Sequence, residues 1–207
     1  MGGITLELSI VGRMLRFVPI DLIVSERGVT DVFARMNSQT VEGIIAKRRY
    51  ARLAREVTGR YPDHLGDKVG QFLYMLKDRG DPFYRRFLNS YGDLTYCRFF
   101  IKDYLSSRGI YVYMRNTETV YVARSLDPFA KRINQGYGRI DPKHCYLDGQ
   151  ATNCHLNALI AEETESVSLH VLPMDDVHQI VEIERFLIIR ERPRWNIALA
   201  GKDPLIT

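Results

Sequence analysis

The chain has 207 residues, of which 45% are apolar and 26% charged, the balance of a soluble globular protein with room for one large domain or two small ones. Its net charge of +4 and pI near 9.0 suit a polyanionic partner without demanding one. Cys97, Cys145 and Cys154 are odd in number and lack CxxC spacing, which speaks against a disulfide framework or a structural zinc site and makes a reducing cytoplasm the default location.

At the N-terminus, Leu6, Leu8, Ile10, Val11, Met14 and Leu15 are interrupted by Glu7, Arg13 and Arg16, and no small-residue cleavage pattern follows, so no signal peptide is expected. No apolar run reaches the length of a membrane span, and no membrane partner is expected. Residues 3 to 24 mix alternation (Ile4, Leu6, Leu8, Ile10) with a second apolar cluster ending at Val24, which reads as one or two short strands. From Asp31 the period lengthens. Val32, Phe33, Met36, Val41, Ile44, Ile45, Tyr50, Leu53 and Val57 suggest helices, and Val69 to Leu76 another that ends at Gly80. Asp81-Pro82 supplies an N-cap and a first-turn proline for a helix through Phe83, Phe87 and Leu88. Leu94 to Leu105 reads as a further helix, broken by Ser106 to Gly109, where a domain boundary is expected.

Within this first half, Lys47, Arg48, Arg49, Arg52 and Arg55 place five cations in nine residues of an expected helix. Such a stripe either neutralises nucleic-acid phosphates or is a solvated helix face. In the second half, Gly109 to Met114 and Thr119 to Arg124 flank the polar turn Arg115 to Glu118 and predict a hairpin. Asp127-Pro128 caps a short helix carrying Phe129, Arg132 and Ile133. Residues 136 to 150 read as a loop, Ala151 to Glu163 as a helix, Val167 to Leu172 as a strand, and Asp175 to Arg192 as a long helix stopped before Pro193. On that last helix Val177, Ile180, Val181, Leu187 and Ile188 mark an apolar stripe, and Glu184 lies on it, four residues from both Ile180 and Ile188. A carboxylate in that position must be paired, protonated or bound to a cation. Glu182, on the polar side with His178 and Arg185, is expected in solvent.

Gly109-Ile110-Tyr111 and Tyr121-Val122-Ala123, then Arg132, then Glu184-Arg-Phe-Leu187-Ile188 and Pro193-Arg-Trp-Asn196, resemble in order and spacing the signature of the GIY-YIG nucleases, over residues 108 to 200. Ala123 departs from that signature, which has glycine there, and the histidine that many members carry after the arginine is missing. Tyr137, Lys143 and His144 are the candidates for its role. The resemblance implies an α/β (α+β type) fold: a nuclease domain over residues 106–207 with a small, mainly antiparallel three-stranded sheet flanked by helices, preceded by a mostly helical accessory domain over residues 1–105 for DNA recognition or dimerisation. It implies a metal-dependent DNA endonuclease, of restriction or mobile-element type, with repair as a lesser context. Tyr111 and Tyr121 would handle the attacking water, Arg132 the scissile phosphate and Glu184 one Mg²⁺ or Mn²⁺, while Asn196 would help hold the site together. The rival expectation is a nucleic-acid-binding module that keeps the scaffold without the chemistry. Both phenols reach one site only if the hairpin register puts them on one face, as an odd-numbered turn centred on Asn116 would.

Overall fold

The computed structural model describes residues 6–10, 13–35 and 38–197; Ile4 of the expected first strand, Val11 and Met36 lie outside them. In chain order the strands are β1 (Leu6–Ile10), β2 (Arg13–Ile20), β3 (Ile23–Val29), β4 (Tyr96–Phe100), β5 (Gly109–Arg115), β6 (Glu118–Ser125) and β7 (Val167–Pro173). The α-helices are α1 (Val41–Ile45), α2 (Ala51–Arg60), α3 (Val69–Asp78), α4 (Pro142–Cys145), α5 (Ala151–Glu162) and α6 (Val177–Glu191), and Ala130–Tyr137 forms a π-helix. The chain is thus mixed α and β. It divides into two compact units. One contains the described residues up to Ser25, Phe99–Gly138 and the described residues from Glu162 on; the other contains the described residues of Glu26–Arg98 and Arg139–Ala161.

The first unit is built on an antiparallel sheet of order β1-β2-β7-β5-β6, so five strands replace the expected three. The addition comes from β1 and β2, whose alternating pattern gives each one apolar face that a sheet can bury. Residues 6 to 25 therefore belong with the hairpin and not with the helical first half. Two opposed faces follow from the pleat. Ile110, Val112, Met114 and Val122 pack with Leu8, Phe17 and with Ile180 and Leu187 of α6. Tyr111, Tyr113, Tyr121 and Ala123 occupy the other face. On α6, Ile180 and Leu187 are buried, whereas Val177 and Val181 are exposed, so the apolar stripe is narrower than its sequence suggests. Asp176 caps this helix by accepting from His178 and Gln179 backbone N–H groups.

The second unit is mainly helical, with a core of Phe33, Tyr50, Phe72, Leu73 and Phe87 among others. Thr40 caps α1 by accepting from the Gly43 N–H at 3.1 Å, and α3 is followed by Gly80 at φ +72°, as expected for a helix stop. Asp81 caps its segment, accepting from the Phe83 N–H at 2.9 Å, but Pro82–Phe87 winds as a 3₁₀-helix. The basic stripe divides between a 3₁₀ turn, Arg48–Tyr50, and α2. Two elements correct the sequence reading. Leu94 to Leu105 is not helical: Tyr96-Cys-Arg-Phe-Phe100 is the strand β4, because aromatic residues pack on a pleated surface and a short apolar run carries no decisive period. The stretch 136–150 is not a plain loop: the π-helix runs to Tyr137, and Asp141 caps α4 in a reciprocal box with His144.

Candidate functional site

The hairpin turn is even, since Arg115 pairs with Glu118 and leaves only Asn116 and Thr117 between the strands, with Asn116 at φ +55°. An even turn alone would send Tyr111 and Tyr121 to opposite faces. A β-bulge reverses that outcome: Met114 pairs with Thr119 but Tyr113 pairs with Tyr121, so Val120 is the extra residue. Beyond it Tyr111 pairs with Ala123, and Tyr111, Tyr113 and Tyr121 share a face. Gly109 is required where it stands, at φ +139°, because a Cβ there would meet the Leu172 carbonyl oxygen at 2.1 Å. Ala123 adds its methyl directly across from Tyr111.

Three further aromatic contacts close around Tyr111. Its ring centroid lies 6.2 Å from that of Tyr121, 6.3 Å from Phe129 edge-on, and 6.1 Å from Tyr137 at an interplanar angle of 26°. Tyr137 is fully buried, and the Tyr113 hydroxyl donates to its hydroxyl oxygen at 3.3 Å. Arg132 comes from the middle of the π-helix. Its Nε donates to the Tyr111 hydroxyl oxygen at 3.1 Å, and its guanidinium lies 5.6 Å from the Tyr137 ring centroid. Among the described residues no carboxylate pairs with it. The neighbouring Tyr111 oxygen raises its already high pKa, against the opposing effect of burial. Burial likewise pushes the Tyr121 and Tyr137 phenols far above their ordinary value. Those two rings therefore keep their protons and can donate, accept or position but not act as a base.

Glu184 reaches the free edge of β6 from α6. Its Oε1 accepts from the Arg124 backbone N–H at 3.0 Å, its Oε2 pairs with the Arg124 guanidinium, and its side chain is 13% exposed. Asn196 serves the same edge two residues away, accepting from the Val122 N–H at 3.0 Å and donating to the Val122 carbonyl at 2.7 Å. The Trp195 N–H donates to the Val120 carbonyl at 2.9 Å. Glu182 is exposed, as its place on the helix predicts.

Of the residues singled out in the sequence, Tyr111, Tyr121, Arg132 and Tyr137 converge on one sheet face. Glu184 and Asn196 sit on the edge of that sheet, engaged with backbone. Lys143 and His144 belong to the second unit, as do Lys47, Arg48, Arg49, Arg52 and Arg55. Arg48, Arg49, Arg52 and Arg55 are exposed and have no ion-pair partner among the described residues, whereas Lys47 is held by Asp148 at 2.8 Å. Sequence reasoning missed Tyr113 and Arg124. Strand periodicity places Tyr113 beside Tyr111; for Arg124 the only available signal was a charge at the end of a buried strand.

For a divalent cation implied by the resemblance, Glu184 is the carboxylate that the resemblance supplies, and among the described residues no group of three or more His, Cys, Asp or Glu side chains gathers to hold an ion. Both carboxylate oxygens already accept from Arg124. The donor set thus fits only an open, largely water-coordinated ion of the Mg²⁺ type, and only with the Arg124 guanidinium moved aside. No known protein family, curated protein or solved structure matches the chain.

Proposed function

We propose that the first unit is a metal-dependent DNA endonuclease of the GIY-YIG type, hydrolysing phosphodiesters on the phenol face of its sheet. Arg132 carries this reading: a half-buried guanidinium surrounded by phenol rings and unpaired with any described carboxylate. A buried cation without an anion is costly, and a phosphate is the anion whose oxygens fit a planar fork of N–H donors. Nε is anchored on Tyr111, which leaves the Nη groups for the phosphate and for charge that develops on it. Tyr111 takes its orientation from that anchor and from the stacked Tyr137. Tyr121, protonated by virtue of its burial, holds a water or a phosphate oxygen by donation. Glu184 would hold the cation, which would supply positive charge to stabilise the leaving group. The exposed arginines of the second unit would add affinity for the backbone that is independent of sequence.

Incubation of supercoiled plasmid with the protein and Mg²⁺ or Mn²⁺, beside an EDTA control, tests the reading. Cutting is expected for the parent chain and lost in Glu184→Gln and Arg132→Ala, with DNA affinity retained in the first. Retained cutting by Glu184→Gln sinks the assignment. A second reading has its own observation, the Glu184–Arg124 pair, which neutralises the carboxylate on which the proposed cation depends. It makes the unit a nucleic-acid binder without chemistry, and DNA binding with no nicking under any metal is the result that selects it.

A further inference from the structure

The second unit has a cleft of about 300 Å³ whose lining includes Lys47, Lys143, His144, Asp148, Gly149 and Gln150. Its charges do not cancel. Asp148 is the one carboxylate among the described residues that line it, and both its oxygens are engaged: Oδ2 accepts from the Lys47 Nζ at 2.8 Å and Oδ1 from the Tyr50 hydroxyl at 2.6 Å. Partial burial works against its charge, yet those hydrogen bonds hold its carboxyl below the usual range. Lys143 is exposed and has no partner among the described residues. Arg48 and Arg49, which follow Lys47 directly, are equally unpaired.

The remaining lining supplies donors. His144 Nδ1 accepts from the Asp141 backbone N–H at 3.2 Å, so in the neutral ring the proton sits on Nε2, which makes no hydrogen bond to the described residues. Burial lowers the His144 pKa and keeps the ring neutral. The loop can close this tightly only because residue 149 lacks a side chain: a Cβ there would meet the Lys143 and His144 carbonyl oxygens at 2.4 and 2.5 Å. Lys143 Nζ, His144 Nε2–H and the Gln150 amide thus offer three donors and one uncompensated positive charge around a hollow too small for a duplex. We propose that this cleft binds a phosphomonoester, whose three terminal oxygens and near-double negative charge match that set. Two sources share this chemistry, the terminal phosphate of a nucleic-acid strand and a free nucleotide. The inference is independent of hydrolysis in the first unit.

Fluorescence anisotropy with the full chain separates the cases, using one labelled oligonucleotide in three forms: 5′-phosphate, 3′-phosphate and both ends hydroxyl. Competitors are deoxyadenosine monophosphate, deoxyadenosine and inorganic phosphate. A terminal phosphate is expected to tighten binding about tenfold, the scale of one charge-assisted contact set. In Lys143→Gln, which alters an exposed side chain, that preference should fall to within about twofold while the hydroxyl oligonucleotide binds as before. Competition by the nucleotide and by phosphate, but not by the nucleoside, supports the same site and identifies a free nucleotide as its ligand if the oligonucleotide forms do not differ. Equal binding of all three oligonucleotides together with no competition by nucleotide or phosphate overturns the proposal, as does full end preference in Lys143→Gln.

Discussion

Asn196→Ala should loosen the first unit by an amount that its structure allows to be worked out. Asn196 makes two hydrogen bonds, both to the backbone of Val122, whose side chain is wholly buried and whose N–H and C=O face away from β5 on the open edge of β6. Each such bond contributes about 1 kcal/mol net, and an orphaned buried group costs more. Asn196 is half-buried, so water can reach part of the vacated space and the lower figure applies to each. The expected loss is about 2 kcal/mol. With a urea slope of roughly 2 kcal/mol/M the midpoint falls by about 1 M. The chain provides its own reporter, because Trp195 is its single tryptophan, is 3% exposed and donates to the same strand. Tryptophan fluorescence in urea therefore follows the first unit even if the two units unfold separately. Asn196→Asp keeps the acceptor for the Val122 N–H but sets a second acceptor against the Val122 carbonyl, so it should be at least as damaging as alanine. A midpoint in Asn196→Ala within about 0.2 M of the parent would refute the edge-capping argument and leave the asparagine to a role in chemistry.

Tyr111→Phe removes the acceptor that anchors Arg132 Nε while retaining the ring stack, and is expected to lower plasmid cutting about a hundredfold with no change of fold by circular dichroism; undiminished cutting would show that the phenol oxygen has no part in the reaction. Arg124→Ala frees the Glu184 carboxylate from its guanidinium but not from the Arg124 backbone N–H, so the Mn²⁺ concentration for half-maximal nicking should drop several-fold. A rise in that concentration would mean that Arg124 supports the ion and does not compete with it. Burial alone depresses the His170 pKa, and His170 Nδ1 is buried without a hydrogen-bond partner among the described residues. Its folded pKa lies below its unfolded value, so the stability it protects is present above the unfolded pKa near 6.5 and is lost as pH falls below it. The tryptophan-monitored urea midpoint should accordingly fall between pH 7.5 and 5.5, with a shallower fall in His170→Leu, and an unchanged dependence in that variant would assign the effect elsewhere.

Much of the hairpin unit was legible because its signals are local. Proline after aspartate, glycine after a helix and alternation in strands each act within a few residues, and they placed β5, β6, β7, α5 and α6 to within a residue or two. The bulge at Val120 was not legible. Nothing in Thr119-Val120-Tyr121 distinguishes an extra residue from a paired one, and only the packing of three tyrosines on one face selects it. The partition of the chain was hidden for a similar reason. Residues 6 to 20 carry a strand pattern but not the identity of their neighbour, and the pairing of β2 with β7 joins positions about 150 residues apart. Residues 139 to 161 pack with the helical unit although they lie between two elements of the sheet unit. The candidate site was half legible: the resemblance grouped Tyr121 and Arg132 with Tyr111, but on the condition of an odd turn, and it is the bulge that brings the two phenols to one face; the Arg124 partner of Glu184 depends on how α6 meets an edge that periodicity cannot reveal.

The edge of β6 also changes what Glu184 and Asn196 mean. An exposed strand edge leaves N–H and C=O groups open to any passing chain, and folded proteins cover or block such edges. Here Asn196 covers Val122, Glu184 covers Arg124 and the Trp195 backbone covers Val120, so three successive outward positions are closed by residues after β7. An inward carboxylate on a helical stripe, followed by a proline and an asparagine, is therefore a pattern that fold integrity alone can demand. The two demands separate at the glutamate. Gln in place of Glu184 retains an oxygen for the Arg124 N–H but gives up the charge, so a purely structural role predicts a small loss of stability and unaltered cutting, while a role in holding a cation predicts an intact fold and no cutting. The asparagine admits no such division, because each of its polar atoms is already spent on Val122, and its contribution to any reaction runs through the position of the strand that carries Tyr121.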